Sequence, residues 1–273
     1  MDQNNLEYLK KSLDYLGFGT RLNQVLEDSI YKKLQSFSIG LHQRYIPAEF
    51  RSSPEKGVDQ MHFELRFNKS RTSDVYYLNA IEASLSRYNA SAPVQKRFDL
   101  EKDNRMTALQ CYKLLCGLSL QKDIFVLDLE DPEGKRNKRV SVWYKLNLDV
   151  TDHQGNHPLK WFFPEYGYDL EATFKKYPII GMDDPEKNEA AIKALRYGNL
   201  ISLEMELEGK KVPVYLCANP ELRRLDIFDQ EMRPLTGQQI FPVEQSQVPT
   251  PSRGGNVPNP LSVQEQQGSG AKR

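Results

Sequence analysis

The spacing of large apolar residues predicts helices in several stretches of the chain. In three stretches, apolar residues recur every three or four positions, the spacing of one helix face. The three stripes are Leu6, Leu9, Leu13 and Leu16; then Leu22, Val25, Leu26 and Ile30; then Ala108, Leu109, Tyr112, Leu115 and Cys116. Gly17 and Gly117 follow the first and third stripes, as expected where helices end. Thr20 is the expected N-cap of the second helix. Two more helices are predicted after Asp169 and after Asp184-Pro185.

Alternation of apolar and polar residues predicts strands between these helices. The predicted strands cover residues 37–41, 61–67, 75–85, 94–100, 124–129, 140–148, 159–163, 200–207, 212–217 and 225–228. Short turns join most of them, which favours antiparallel pairing. The fold class is therefore predicted as α+β, with antiparallel sheets and packed helices. The order of elements also suggests a repeated unit of one helix and three strands, roughly every 80 residues.

The composition divides the chain into regions. We expect an N-terminal α+β unit over residues 1–104 and a C-terminal α+β region over 105–241, with a further division into 105–182 and 183–241 as an alternative. Residues 242–273 are dominated by Gln, Pro, Ser, Gly and Asn. Such a segment has few large apolar side chains to bury, so the sequence predicts a disordered tail.

The aromatic stretch between Trp161 and Pro178 is the most concentrated cluster in the chain. Five of the eight residues from Trp161 to Tyr168 are aromatic, and Pro164 ends any strand there because it lacks an N–H donor. A meeting point of sheet and helix in the core is the favoured interpretation. A platform for stacking bases or a ligand is the alternative.

Charge and cysteine content change the picture only modestly. The chain has 37 Lys and Arg against 37 Asp and Glu, which argues against a strongly acidic DNA mimic and against binding by global charge. Its three cysteines, Cys111, Cys116 and Cys217, suit a reducing compartment rather than a disulfide framework. No signal-peptide pattern or long apolar run is present, so we expect a cytoplasmic protein without membrane contact.

Recognisable catalytic motifs are absent from the sequence. It contains no phosphate-binding loop, dinucleotide fingerprint or nucleophile elbow, so enzymatic activity stays uncertain and no catalytic residue is assigned. His153 and His157 are four residues apart, but Gly155 and Pro158 make this stretch a turn rather than a helical metal site. We expect no metal and no cofactor.

A basic run is the best candidate for a binding surface. Lys135, Arg136, Lys138 and Arg139 lie in a predicted hairpin connection directly before a strand that contains Trp143 and Tyr144. Cations beside aromatic rings can bind the phosphates and bases of nucleic acid. The alternative is a solvated hairpin tip without a ligand.

Several short segments together resemble an uncharacterised protein family encoded on bacterial conjugative transposons. The clearest is the motif Tyr166-Gly167-Tyr168-Asp169, and six further segments agree with it. They are Leu16-Gly17-Phe18-Gly19, Trp143-Tyr144-Lys145-Leu146, Gly155-Asn156, Lys176-Tyr177-Pro178-Ile179, Tyr197-Gly198-Asn199-Leu200 and Ala218-Asn219-Pro220. The resemblance ends near Leu235 and implies an accessory protein of a mobile element. It carries over no catalytic residue.

Three hypotheses of function follow. The first is a non-enzymatic binding module that contacts an unknown protein partner or DNA. The second is an anti-restriction factor or a nuclease-type accessory that acts on nucleic acid. The third is a structural or assembly protein, for which a large exposed apolar patch would be the sign.

Overall fold

Two N-terminal helices cover one face of the first sheet. The computed structural model describes residues 2–100, 105–127 and 137–241. Helix α1 (Gln3–Tyr15) begins where the Asp2 side chain accepts a hydrogen bond from the Asn5 N–H, and its leucine stripe is buried. Helix α2 (Asn23–Tyr31) follows a single 3-10 turn, Thr20–Leu22. The prediction that Thr20 caps α2 was wrong, because Thr20 begins this turn and Leu22 occupies the N-cap position of α2.

The first sheet is a four-stranded antiparallel meander. Its strands are β1 (Ser36–Tyr45), β2 (Asp59–Lys69), β3 (Tyr76–Ser86) and β4 (Val94–Asp99), in that spatial order. The alternation of apolar and polar residues along β2 sets the buried face of the sheet. On that face Met61, Phe63, Leu65 and Phe67 are fully buried. On the other face Arg66 forms ion pairs with Glu64 at 3.2 Å and Glu82 at 2.9 Å.

The second sheet follows helix α3 (Ala108–Leu115). Thr107 and Gln110 form a reciprocal capping box that fixes the start of this helix. The sheet contains β5 (Leu120–Leu127), β6 (Asn137–Leu146) and β7 (Leu159–Phe162), all antiparallel. It has the helix-plus-three-strand order that the sequence suggests, whereas the first sheet has four strands.

The third sheet follows two helices, α4 (Leu170–Phe174) and α5 (Pro185–Arg196). Its strands β8 (Ile201–Leu207), β9 (Lys210–Asn219) and β10 (Arg224–Phe228) have the spatial order β10-β9-β8. Both predicted helix starts are confirmed, because the carboxylates of Asp169 and Asp184 accept N–H groups of the first turns. A one-turn helix, α6 (Gly237–Ile240), was not predicted.

Helix α5 ends in close contact with the start of β5. Gly198 has φ +71°, and a β-carbon built on it would lie 2.8 Å from the Ser119 carbonyl oxygen and 2.9 Å from the Leu120 β-carbon. Only glycine fits both this backbone conformation and this space. The third sheet and its helices are thereby held against the second sheet.

The buried apolar residues form two clusters that share strand β6. One cluster joins α1, α2, the first sheet and α3 to one face of β5 and β6, and it includes Tyr144. The other joins α4, α5 and the third sheet to Trp143 and Phe162. The architecture confirms the predicted α+β class with antiparallel sheets. The domain boundaries at 104 and 182 stay predictions, and the predicted tail, 242–273, lies outside the described residues.

Candidate nucleic-acid interface

The exposed end of the β5–β6 ribbon contains the described part of the predicted basic run. Strands β5 and β6 pair from Leu120 opposite Tyr144 to Leu127 opposite Asn137. Lys138 and Arg139 therefore lie within strand β6, not in the connection as expected, and both are exposed. Lys135 and Arg136 lie outside the described residues. Because successive residues of a strand point to opposite faces, Lys138 and Arg139 project from opposite faces of the ribbon.

The positive charge of Arg139 is partly compensated by a carboxylate within the ribbon. Its guanidinium contacts the Asp123 carboxylate on β5, and the Ser141 hydroxyl donates to the same carboxylate. Hydrogen bonds from Ser141 and Arg139 hold the pKa of Asp123 below its ordinary value despite partial burial. Arg139 remains 69% exposed, so this surface ion pair leaves it accessible to a second anion.

The two aromatic residues predicted beside the basic run are not part of this surface. Trp143 is 3% exposed and Tyr144 is fully buried, each in a different apolar cluster. Trp143 packs edge-on against Tyr168 at 5.3 Å between ring centroids, and Tyr144 packs against Trp161 at 5.3 Å. Both faces of β6 are covered at this point, so neither ring can stack on a base. We correct that part of the prediction.

Phe125 is an aromatic residue at the basic end that the sequence analysis missed. It lies directly opposite Arg139 in the antiparallel register and its side chain is 56% exposed. Leu127, two residues further on the same face, is 51% exposed. The available signal was the continuous apolar run from Ile124 to Leu127, because only alternate residues of a strand can face the same core; the structure buries Ile124, so Phe125 faces the other way.

The Tyr166-Gly167-Tyr168-Asp169 motif connects the second sheet to the third. The Tyr166 hydroxyl donates to the Glu221 carbonyl at 2.9 Å, and the Arg223 guanidinium lies 4.4 Å from the Tyr166 ring centroid. Gly167 has φ +79°, and Tyr168 donates to the Arg224 carbonyl at 3.3 Å. These contacts give the motif a structural role at the turn between β9 and β10.

Within residues 2–100, 105–127 and 137–241, no three His, Cys, Asp or Glu side chains come together as metal ligands. Near the candidate pair of histidines, the His157 Nδ1 lies 2.8 Å from the Val150 carbonyl, inside a turn. None of the helices in these ranges is long and apolar enough to span a bilayer.

Comparisons with known proteins add no relative to this description. No family model matches the chain, and neither the curated proteins nor the solved structures contain a significant match.

Proposed function

We propose that this protein is a non-enzymatic binding module that contacts double-stranded DNA with the exposed end of its β5–β6 ribbon. The observation that carries the proposal is the position of Phe125, exposed and directly opposite Arg139. The sequence adds Lys135 and Arg136 immediately before this strand. Lys138 and Arg139 near an exposed aromatic ring, in a run that has four cations in five sequence positions, complement a duplex and its phosphates.

The shape of the ribbon favours the duplex over a single strand. A two-stranded antiparallel ribbon fits the major groove of B-form DNA, whose walls are lined by phosphates on both sides. Arg139 projects from the same face as Phe125, so its guanidinium can approach a phosphate at the wall while the ring faces the floor of the groove. Phe125 would then contact the base edges, where a thymine methyl is an apolar partner. The resemblance to proteins of conjugative transposons supports a role in handling the DNA of a mobile element.

Fluorescence anisotropy with a labelled 30-base-pair duplex and the matching single strand tests this proposal. We expect the protein to bind the duplex more tightly than the single strand. With about four phosphate contacts, raising the salt concentration from 50 to 200 mM should weaken binding roughly 100-fold. The variant Lys138→Ala/Arg139→Ala should bind more weakly and with a shallower dependence on salt. Phe125→Ala should lose affinity without changing the salt dependence.

The β8–β9 hairpin provides a matched control. Lys210 and Lys211 are also two neighbouring, exposed cations at the start of a hairpin strand. Lys210→Ala/Lys211→Ala changes the net charge by the same amount and should leave binding nearly intact. Equal losses in the two double variants, or no binding by the wild type at 50 mM salt, would refute the DNA proposal. The exposed Phe125 and Leu127 would then direct a search for a protein partner.

A further inference from the structure

A cleft of about 420 Å³ lies between helix α3 and the third sheet, away from the ribbon. Its volume is in the range of sites for small molecules. Apolar side chains line its side nearest the third sheet, among them Leu200, Phe228 and Met232. Lys113 of α3 and Arg51 of the loop after β1 also line it, so cations and an apolar wall face the same space.

Lys113 is a half-buried cation whose protein partners are both neutral. Its ammonium group donates to the Tyr197 carbonyl at 2.7 Å and to the side-chain oxygen of Asn199 at 2.6 Å. An ammonium group has three N–H donors, so one remains for another acceptor. Tyr197 is the C-cap of α5, and the helix dipole there offsets part of the charge. The hydrogen bonds to Tyr197 and Asn199 therefore use two of the three N–H donors of Lys113.

Arg51 adds a second cation to the same side of the cleft. Burial lowers the pKa of Lys113 to about 8, and the positive charge of Arg51, which lines the same cleft, contributes to the shift. In the described ranges the guanidinium of Arg51 makes no ion pair. Two cations on one side of a cleft without a carboxylate between them repel each other, and an anion bound between them would relieve that repulsion.

The carboxylates that line the cleft already have other partners. Glu49 pairs with Arg87 at 3.4 Å. Asp226 accepts from the Asn219 amide at 2.7 Å and pairs with Arg224 at 3.1 Å. Within the described part of the chain, neither carboxylate forms a pair with Lys113 or Arg51. The cleft therefore keeps uncompensated positive charge beside an apolar wall.

We infer that this cleft binds a small organic anion, with its carboxylate or phosphate head between Lys113 and Arg51 and its apolar body against Phe228 and Met232. Arg presents paired N–H groups that match two oxygens of such a head, and Lys supplies a point charge. An inorganic ion alone would leave the apolar wall of the cleft without a partner. The inference is independent of DNA binding, because it uses none of the ribbon residues.

Calorimetric titration of the full chain at pH 7 tests the inference with 4-phenylbutyrate as the probe. We expect saturable binding of 4-phenylbutyrate. 4-Phenylbutyramide and acetate should bind at least about 10-fold more weakly, because the amide lacks the negative charge and acetate lacks the apolar body. A parallel titration with 2-phenylethyl phosphate identifies which anionic head the site prefers. Saturable binding of neither probe would overturn the inference, as would equal binding of 4-phenylbutyramide.

Three variants locate the site. Arg51→Gln changes an exposed side chain, and Lys113→Met keeps the length of the stem while removing the charge; each should weaken the probe at least about 10-fold. Lys11→Met removes an exposed lysine of α1 and should bind like the wild type. Unfolding curves of all variants confirm that the fold is retained. Unchanged affinity in a folded Arg51→Gln and a folded Lys113→Met would overturn the inference.

Discussion

The hydroxyl of Tyr112 donates a hydrogen bond of 2.9 Å to the carboxylate of Asp59, which has no exposure to solvent. The other carboxylate oxygen accepts the backbone N–H of Tyr88 at 3.1 Å, and the Arg87 Nε lies 3.6 Å from the oxygen that Tyr112 contacts. Asp59 begins strand β2 and Tyr112 lies in α3. The pair therefore fastens α3 to the first sheet with polar contacts inside the core.

Replacing Asp59 should destabilise the protein more than any surface substitution. Asp59→Ala leaves the buried Tyr112 hydroxyl and the Tyr88 N–H without their acceptor and removes one of the two carboxylates beside Arg87, at a cost of about 3–5 kcal/mol. Tyr112→Phe removes one hydrogen bond to a charged group, a loss of about 1.5–3 kcal/mol. Urea unfolding measures both. Tyr31→Phe, at a side chain 77% exposed, is the control and should change stability by less than about 0.5 kcal/mol. Equal effects of the two tyrosine substitutions would contradict the prediction.

Alanine at Gly198 should cost more than alanine at Gly167, although both glycines have positive φ. Gly167 has φ +79° and open space around the position of a β-carbon, so only backbone strain of about 1–2 kcal/mol is expected. At Gly198 the added carbon also collides with Ser119 and Leu120, which should add about 1–3 kcal/mol. Denaturation midpoints of the two variants test this. Similar losses at both positions would mean that α5 and β5 are not in close contact.

Asparagine in place of Glu208 should stabilise the β8–β9 hairpin. Glu208 and Gly209 form its two-residue turn and have φ +50° and +72°, a combination that favours Asn-Gly. Relief of strain at Glu208 should raise the free energy of unfolding by about 0.5–1 kcal/mol. Glu206→Asn, two residues earlier in β8, is the control and should give no gain, since asparagine is disfavoured in strands. A thermal melt showing a gain only at position 208 is the expected result.

The stability difference between wild type and Lys113→Met should depend on pH. Burial and Arg51 lower the pKa of Lys113 to about 8, whereas an unfolded lysine titrates near 10.4. Between these values the unfolded chain binds more protons, so the contribution of Lys113 to stability rises with pH. We expect the wild type to gain on the order of 1 kcal/mol relative to Lys113→Met between pH 7.5 and 9.5, after discounting for partial exposure.

The control for this titration is Lys11→Met, whose difference from wild type should stay constant over the same range. Comparison of variants is necessary because burial also raises the pKa of Cys116 and of Tyr45 to about 12, which lowers stability as the pH rises. These groups are common to all three proteins and cancel. A pH-independent difference for Lys113→Met would contradict the assigned environment.

Local patterns were sufficient to predict most of the helices and strands but not the surfaces. The N-caps Asp169 and Asp184 were predictable because a cap depends only on the next three residues. Trp143 and Tyr144 were predicted at the binding surface wrongly, because α4, α5 and the third sheet cover one face of β6 at Trp143 and the first cluster covers the other face at Tyr144. The cleft could not be predicted, since Arg51 and Lys113 belong to separate elements that only the packing of the sheets brings together.

Strand β6 also bears on how genes for such proteins can change. Trp143 and Tyr144 are neighbours in sequence, yet each fills a different apolar cluster. Recombination could exchange one helix-plus-strands segment for a foreign copy. Trp143 or Tyr144 would then pack against a surface that does not match its shape. We therefore expect the segments to be inherited together, with their resemblance to repeats confined to the order of their elements.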